Sequence, residues 1–200
     1  MAEKEMLFRC SALGNLMSEP KLVADKKAGK LSKTAESYLN QFIFEYKYGR
    51  RQNFSTKATQ KGTQTEDDGI HVLNMVMKTR YKKNETRFNG DYLTGEPDII
   101  GKDIIIDIKS NFLASTFLTK DSIDNVYKWQ LAGYCVLCEK KKGAIAYTLN
   151  NTPLDIVKSE ITSAYYKNGL VDLTDEQKAK IALNHIYTDK HIVDGNYVNG

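Results

Sequence analysis

The sequence predicts an α/β fold in which a central mixed β-sheet is flanked by helices. Two helical patterns, at 34–48 and 60–80, precede segments rich in β-branched and aromatic residues, and further helical patterns follow. An order of helix, helix, three strands, helix, strand and helices is typical of a mixed α/β sandwich. The chain has 200 residues, of which 41% are hydrophobic, and this is enough for one compact domain with a substantial core.

Each predicted element follows from a local pattern. Residues 24–32 are polar and predict a loop, and Gly49 is expected to end the helix at 34–48. The helix at 60–80 carries an apolar stripe at helical spacing, namely Ile70, Leu73, Val76 and Met77. We expect strands at 85–92, 98–100, 103–109 and 143–149, and later helices at 124–138, 154–167 and 175–188. Thr174 is the expected N-cap of the last helix, and the final ten residues are expected to form a loose tail.

The composition excludes a membrane-spanning or disulfide-rich protein. No apolar run approaches the ~18 residues that a membrane span needs. The apolar run Met6-Leu7-Phe8 is too short for a signal peptide and is followed at once by Arg9. Three cysteines, Cys10, Cys135 and Cys138, make no disulfide framework. We therefore expect a protein of the cytoplasm, without a membrane partner.

Positive charge is concentrated in the first third of the chain. The formal net charge is +4, but residues 1–61 hold 12 Lys and Arg against 6 Asp and Glu. A basic region of this kind suits the phosphate backbone of a nucleic acid. A solvated, lysine-rich surface is an equally good interpretation on charge alone.

The strand at 103–109 places two opposite charges on one face. Because side chains alternate across a sheet, Asp107 and Lys109 point away from the face that carries Ile104, Ile106 and Ile108. If Gly101-Lys102 form a two-residue turn, Asp98 pairs with Ile105 and becomes the diagonal neighbour of Asp107. Diagonal neighbours lie roughly 7–8 Å apart, and two carboxylates at that separation can hold one Mg²⁺ ion.

A third carboxylate is expected from the helix at 60–80. Glu66 lies on the apolar stripe, where an acid is costly to bury unless it is paired or bound to a metal. Asp67 lies on the polar side, and Asp68 is a reserve candidate between the two. Gln130 also lies on an apolar helix face and can donate to and accept from groups in a site.

These residue types fit metal-assisted hydrolysis of a phosphodiester. A divalent ion polarises a phosphate oxygen and lowers the pKa of a bound water. Lys109 adds positive charge where negative charge builds up on the phosphate. The spacing of Asp98 from Asp107-x-Lys109 is a loose pattern, and a salt-bridged surface strand is the alternative interpretation.

Four segments of the chain resemble the PD-(D/E)XK nuclease superfamily, and within it the phage-type exonucleases of the lambda exonuclease and YqaJ-like kind. They are Gly62-x-x-x-Glu66, Pro97-Asp98, Asp107-Ile108-Lys109 and Gln130-x-x-x-Tyr134. The resemblance covers roughly residues 9–149. It implies a restriction-endonuclease-like core and a single nuclease domain, with a basic helical part at 1–60, a catalytic core at 61–150 and C-terminal helices at 151–190.

The same resemblance implies an activity and a set of partners. These are 5′→3′ degradation of double-stranded DNA ends with two Mg²⁺ or Mn²⁺ ions, work in phage recombination beside a single-strand annealing protein, and a homo-oligomeric ring. Ile108 would give its backbone carbonyl to a metal, and Arg9 and Ser11 would handle the DNA end.

Other interpretations stay open at this point. Arg50 and Arg51 are DNA-binding candidates that could equally be a solvated helix end. A structure-specific or site-specific endonuclease uses the same chemistry as an exonuclease. A DNA-binding module with a nuclease fold and no catalysis is the third alternative.

Overall fold

The structure, a computed structural model, describes residues 6–51 and 55–187. The helices are α1 (Leu13–Leu16), α2 (Val23–Lys27), α3 (Lys33–Tyr48), α4 (Lys57–Gln64), α5 (Glu66–Met77), α6 (Ala114–Leu118), α7 (Asn125–Leu137), α8 (Leu154–Lys167) and α9 (Asp175–Leu183). The strands are β1 (Phe8–Arg9), β2 (Phe88–Asn89), β3 (Leu93–Gly95), β4 (Ile99–Ile100), β5 (Ile104–Ser110) and β6 (Lys142–Thr148). Mixed pairing and flanking helices confirm the predicted α/β class.

The chain forms two compact units, of which the first comprises residues 6–51, 84–106 and 123–144. Its three-stranded sheet has the order β1-β3-β2, with β1 parallel and β2 antiparallel to β3. The ring of Phe8 on β1 stacks on Phe42 of α3 with centroids 4.4 Å apart. The predicted division of the chain into one domain with three successive parts stays a prediction.

Helix α3 confirms the helix predicted at 34–48. The Ser32 hydroxyl caps its start by accepting from the backbone N–H of Ala35 at 3.0 Å. Gly49 ends it in the left-handed region at φ 64°, as the sequence predicts. Tyr38 and Phe42, one turn apart, are both buried.

The second unit comprises residues 55–83, 107–122 and 145–187 of the described chain. In it, α5 lies close to Ile108 of β5 and Thr148 of β6. A Cβ on Gly69 would meet Ile108 Cγ2 at 2.6 Å and Thr148 Oγ1 at 3.1 Å, so only glycine permits this approach. Ile70 and Leu73 are buried as predicted, but Met77 is exposed, because α5 ends there.

The turn between β4 and β5 is longer than the sequence suggested. Ile100 pairs with Ile105 and Ile99 with Ile106, which leaves four residues between the paired positions. The backbone N–H of Gly101 donates to the carbonyl of Ile104 at 2.8 Å and closes the turn. The predicted pairing of Asp98 with Ile105 is therefore wrong. The sheet order is β4-β5-β6.

The single helix predicted at 60–80 is also wrong. Helix α4 begins earlier, capped by the Thr56 hydroxyl, and Thr65 separates it from α5 with φ −111° and ψ 14°. Helix α5 ends at Met77, where Lys78 adopts the left-handed conformation at φ 52°. The buried hydroxyl of Thr65 makes tertiary hydrogen bonds, which favour this local departure from helical geometry.

Several short segments differ from prediction. Residues 23–27 of the predicted loop form α2, with Asp25 in its first turn and Lys26 in its last, an arrangement that favours a short helix. The predicted strand at 85–92 shrinks to β2. The Asn84 side chain bonds the backbone at Thr86 and Pro97 and takes the groups that a longer ladder would use. Strands β1 and β3 and helices α1 and α6 were not predicted.

The later elements agree better with prediction. Helix α7 and β6 lie within a residue of their predicted bounds, and α8 has the bounds predicted. Thr174 caps α9 in a capping box with Gln177, but α9 ends at Leu183 instead of 188. Residue 188 and the predicted tail lie outside the described residues. None of the described helices is long and apolar enough to cross a membrane.

Candidate active site

The centre of the candidate site is an ion pair on β5. Lys109 Nζ lies 2.5 Å from Asp107 Oδ2, with side-chain exposures of 26% and 2%. The two side chains share a face because they are two residues apart on a strand. Lys109 thus keeps access to solvent, whereas the carboxylate beneath it is enclosed.

Burial changes the acidity of Asp107. Desolvation raises the pKa of its carboxyl above the usual range, and the Lys109 ammonium opposes that rise. Additional positive charge nearby stabilises the ionised form of a buried carboxylate. This donor therefore fits a divalent cation, which prefers carboxylate oxygens.

Glu66 opens α5 and is more enclosed than the two acids that follow it, Asp67 and Asp68. Its side chain is 25% exposed, compared with 77% for Asp67, in agreement with the predicted difference between the two. Lys83 Nζ lies 3.3 Å from Glu66 and 3.0 Å from Asp67. The hydrogen bond to Asp67 is the main reason that the pKa of Lys83 is raised. Sequence reasoning missed Lys83, which lies 17 residues beyond Glu66 with nothing in the pattern to mark it.

Asp98 lies in the first unit, directly before β4, and is half-buried. The Asn84 side chain donates to the Pro97 carbonyl at 2.9 Å, and the Asn84 backbone N–H donates to the Asp98 carbonyl at 2.7 Å. Asn84 therefore fixes the backbone of the Pro97-Asp98 segment.

Gln130 of α7 is buried, and its amide donates to the Tyr134 hydroxyl at 3.2 Å. Tyr134 lies directly against Gly95, where an added Cβ would be 2.6 Å from Tyr134 Cε1. The first unit therefore joins the Gln130-x-x-x-Tyr134 element to the segment Gly95–Asp98. The absence of a side chain at Gly95 permits the close approach of the Tyr134 ring to this segment.

The four DNA-binding candidates divide into two groups. Arg9 and Arg51 both pair with Glu45: Arg9 Nη2 lies 3.3 Å from Glu45 Oε2, and Arg51 Nε lies 3.8 Å from Glu45 Oε1. Ser11 and Arg50 are exposed to solvent. The carboxylate of Glu45 thus holds two guanidinium groups on the surface of the first unit.

The acids stand in different surroundings. Asp107 is paired with Lys109, Glu66 with Lys83, and Asp98 lies in a segment held by Asn84. Within the described ranges, no three His, Cys, Asp or Glu side chains already stand together as a metal-binding group. The metal set of Glu66, Asp98 and Asp107 with the Ile108 carbonyl stays a prediction.

Two polar residues beside the motifs were also missed. Thr65 and Ser110 are adjacent in sequence to Glu66 and Lys109, and their hydroxyls lie 2.9 Å apart. Thr65 could have been noticed, because it shares a helical line with Gly69 and Leu73 and is a polar residue on an apolar stripe. Nothing in the sequence marks its partner 45 residues away.

The comparisons with known proteins give matches among solved structures. No protein-family model matches the sequence, and no curated protein matches it significantly. A phage-related exonuclease from Haemophilus somnus 129PT is 30% identical, with a TM-score of 0.67 over 76% of this chain and 72% of that one. The alkaline exonuclease LHK-Exo from Laribacter hongkongensis is 14% identical, with a TM-score of 0.59 over 89% of this chain and 91% of its own.

A second LHK-Exo structure, in complex with dAMP, is 16% identical with a TM-score of 0.57, and the match covers 76% of this chain and 73% of that one. At this identity the LHK-Exo matches show the fold, which is restriction-endonuclease-like as predicted. The match at 30% identity covers more than two thirds of the phage-related exonuclease and shows the family. The chain belongs to the lambda-exonuclease-like PD-(D/E)XK nucleases.

Proposed function

We propose that this protein is a Mg²⁺-dependent exonuclease that degrades double-stranded DNA from its ends. The observation that carries the proposal is the buried Asp107 carboxylate beside Lys109 on β5. Family membership supplies the expectation of a nuclease, and the pair supplies an acid and a cation of the kind that phosphodiester hydrolysis needs.

Asp107, Glu66, Asp98 and the carbonyl of Ile108 are the proposed metal ligands. On the observed register, Asp98 directly precedes Ile99 and Asp107 directly follows Ile106, and Ile99 and Ile106 are a pair. One or two ions held by these ligands would polarise a phosphate oxygen and lower the pKa of a water.

Lys109 and Gln130 have separate proposed roles at the scissile phosphate. The Lys109 ammonium, a quarter exposed, would stabilise the negative charge that builds up on phosphate oxygens during attack. Gln130 can donate and accept at once, which suits the orientation of a water or a phosphate oxygen. Its bond to Tyr134 fixes the rotamer of the amide.

The substrate would be bound through the basic surface of the first unit. Arg9 and Arg51 are already held by Glu45, and Arg50 and Ser11 are accessible. A phosphate would share or replace the Glu45 carboxylate as the partner of these guanidinium groups. The LHK-Exo structure contains dAMP, a mononucleotide of the kind that an exonuclease releases, which supports DNA as the substrate.

The decisive assay compares two DNA substrates. A linear duplex labelled at the 5′ end and a covalently closed circle are each incubated with the protein in Mg²⁺ and in EDTA. The proposal predicts release of labelled mononucleotide from the linear duplex in Mg²⁺ alone, and an intact circle. Cleavage of the circle would favour the endonuclease alternative, and binding without any cleavage would favour the non-catalytic module.

The direction of DNA degradation and the protein partners are further parts of the proposal, and both rest on the family resemblance. The family resemblance supports 5′→3′ degradation, a homo-oligomer around DNA and work beside a single-strand annealing protein in recombination. A duplex labelled at the 3′ end tests the direction, since a 5′→3′ enzyme releases that label last. Sedimentation of the protein with and without duplex tests the oligomer.

A further inference from the structure

Thr65, at the junction of α4 and α5, is nearly inaccessible, with 2% of its surface exposed. Its hydroxyl donates to the carbonyl of Lys61 at 2.9 Å, a bond to the preceding helical turn. It also lies 2.9 Å from the hydroxyl of Ser110. Thr65 directly precedes Glu66, and Ser110 directly follows Lys109, so one hydroxyl pair joins the neighbours of two proposed site residues.

Asn150 completes the arrangement. Its amide nitrogen lies 3.3 Å from the Thr65 carbonyl, 3.4 Å from the Ser110 hydroxyl and 3.2 Å from the Thr148 hydroxyl. Asn150 is 4% exposed and Thr148 is 3% exposed. One buried amide thus bridges the start of α5, the end of β5 and the end of β6.

We propose that Thr65, Ser110 and Asn150 form a positioning cluster that fixes Glu66 relative to Asp107 and Lys109. The inference rests on the proposed function, because it concerns those same metal ligands. All three members of the cluster lie in the second unit, as do Glu66, Asp107 and Lys109. The cluster touches no substrate, and it acts by holding α5 against β5.

Packing alone gives no reason for polar side chains at these positions. Apolar residues of similar shape would fill the same space without the need to satisfy buried donors and acceptors. Hydrogen bonds are directional, and they fix the rotation of α5 about its axis as well as its distance from β5. A site that must hold ligands within about 0.5 Å gains from such directional support.

The test compares Thr65→Val, which removes the hydroxyl, with Thr65→Ser, which keeps it. Mn²⁺ binding is measured calorimetrically on the full chain without DNA, and cleavage of linear duplex is measured over a range of Mg²⁺ concentrations. We expect Thr65→Val to bind Mn²⁺ about tenfold more weakly and to need about tenfold more Mg²⁺ for half-maximal cleavage. The KM for DNA at saturating Mg²⁺ stays unchanged, and Thr65→Ser restores both values.

Thr152→Val is the matched control. The Thr152 hydroxyl is also buried in the second unit, and at 3.4 Å it bonds Nδ1 of His185, which is not a member of the positioning cluster. We expect this variant to lose thermal stability without any change in Mn²⁺ affinity. If Thr65→Val does not fold, Ser110→Ala at the other end of the same hydrogen bond gives the measurement and is expected to shift Mn²⁺ affinity in the same direction.

The outcomes separate this inference from the proposed function. If the wild-type protein neither binds Mn²⁺ nor cleaves, both are overturned. If the wild type does both and Thr65→Val matches it in Mn²⁺ affinity, the cluster has no positioning role and the proposed function stands. A loss in Thr65→Val that Thr65→Ser does not restore also overturns the inference, since shape and not the hydroxyl would then be responsible.

Discussion

Asp107 and Lys61 are both ionisable side chains buried in the second unit, but different groups hold them. Asp107 has the ammonium of Lys109 at 2.5 Å. Lys61, with 0% exposure, has the Phe112 carbonyl at 3.3 Å and lies over the rings of Phe112 and Tyr187 at 5.9 Å and 5.2 Å. One buried charge has a counter-charge, and the other has π faces and a dipole.

The pKa shifts separate the two residues in the same way. Burial raises the pKa of Asp107, and Lys109 opposes the rise, so the carboxylate form is supported by a cation. Burial lowers the pKa of Lys61 to about 8. The cation beside Asp107 indicates a site that keeps this carboxylate ionised. The rings and carbonyl around Lys61 indicate a lysine that packs within the fold and takes no part in catalysis. Burial alone would not have distinguished them.

Replacing Lys109 with Met would test the first half of this comparison most strongly. Loss of the ammonium removes positive charge from the proposed transition state, and we expect kcat to fall by about 10²- to 10³-fold. Because Lys109 lowers the pKa of Asp107, its loss also moves the acid limb of the pH–rate profile to higher pH. Single-turnover cleavage from pH 6 to 9 measures both effects. Lys109→Arg, which keeps the charge, should retain more activity, and equal loss in the two variants would contradict the assignment.

Gly69→Ala would show how closely α5 must approach the strand that carries Asp107. The new Cβ would meet Ile108 Cγ2 at 2.6 Å, and overpacking of this kind costs about 1–3 kcal/mol of unfolding free energy. Gly62→Ala is the matched control in α4, where no atom lies within 4 Å of the added Cβ. Alanine should stabilise that helix by about 0.5–1 kcal/mol. Denaturant unfolding measures both, and effects of the same sign at the two positions would refute the close approach.

Lys61→Met tests the second half of the comparison through its pH dependence. A basic group whose pKa is lower in the folded than in the unfolded chain destabilises the fold fully below the folded value, about 8 here. That cost disappears as pH rises towards 10.5, the ordinary value for lysine. Lys61→Met should therefore be more stable than wild type by about 1–2 kcal/mol at pH 7, with a smaller difference at pH 10. A difference that is constant from pH 7 to pH 10 would mean that Lys61 is not desolvated.

Arg51→Gln should have the smallest effect. If Arg51 contacts a DNA phosphate, the slope of log affinity against log salt should become shallower by about one, with no change in sequence preference. Duplex binding at several salt concentrations, in Ca²⁺ to prevent cleavage, measures the slope. Lys178→Gln is the control, because Lys178 pairs with Asp175 on α9 and has no proposed DNA contact. Equal slopes in the wild type and Arg51→Gln would remove Arg51 from the interface.

Sequence reasoning succeeded where structure depends on neighbours along the chain. Helix α3 ends at Gly49, α8 has its predicted bounds, and Thr174 caps α9, because each depends on local propensity or capping. The alternation of side chains on β5 likewise predicts that Asp107 and Lys109 share one face, and their ion pair confirms it. The resemblance to the nuclease family also rests on short motifs, each of which lies within a few consecutive residues.

The failures with the largest consequences for the site involve partners that are remote in sequence or a turn of unknown length. The Thr65 break depends on Ser110, and the short β2 depends on the bonds between Asn84 and Pro97. The three-residue turn between β4 and β5 changed the pairing of the motif hairpin, since a turn's length is not fixed by Gly101-Lys102 alone. Nothing in the sequence beside the Gly62-x-x-x-Glu66 motif indicates that Lys61 is buried, because its partners Phe112 and Tyr187 are remote in sequence.

The central claim is that the Asp107 carboxylate binds a divalent ion in a nuclease. The most direct test is Mn²⁺ binding to the wild-type protein and to Asp107→Asn, measured by electron paramagnetic resonance, together with cleavage of linear duplex by the same samples. We expect Asp107→Asn to keep its fold, lose tight Mn²⁺ binding and cleave at least about 10³-fold more slowly. Unchanged Mn²⁺ affinity and cleavage in a folded Asp107→Asn protein would contradict it.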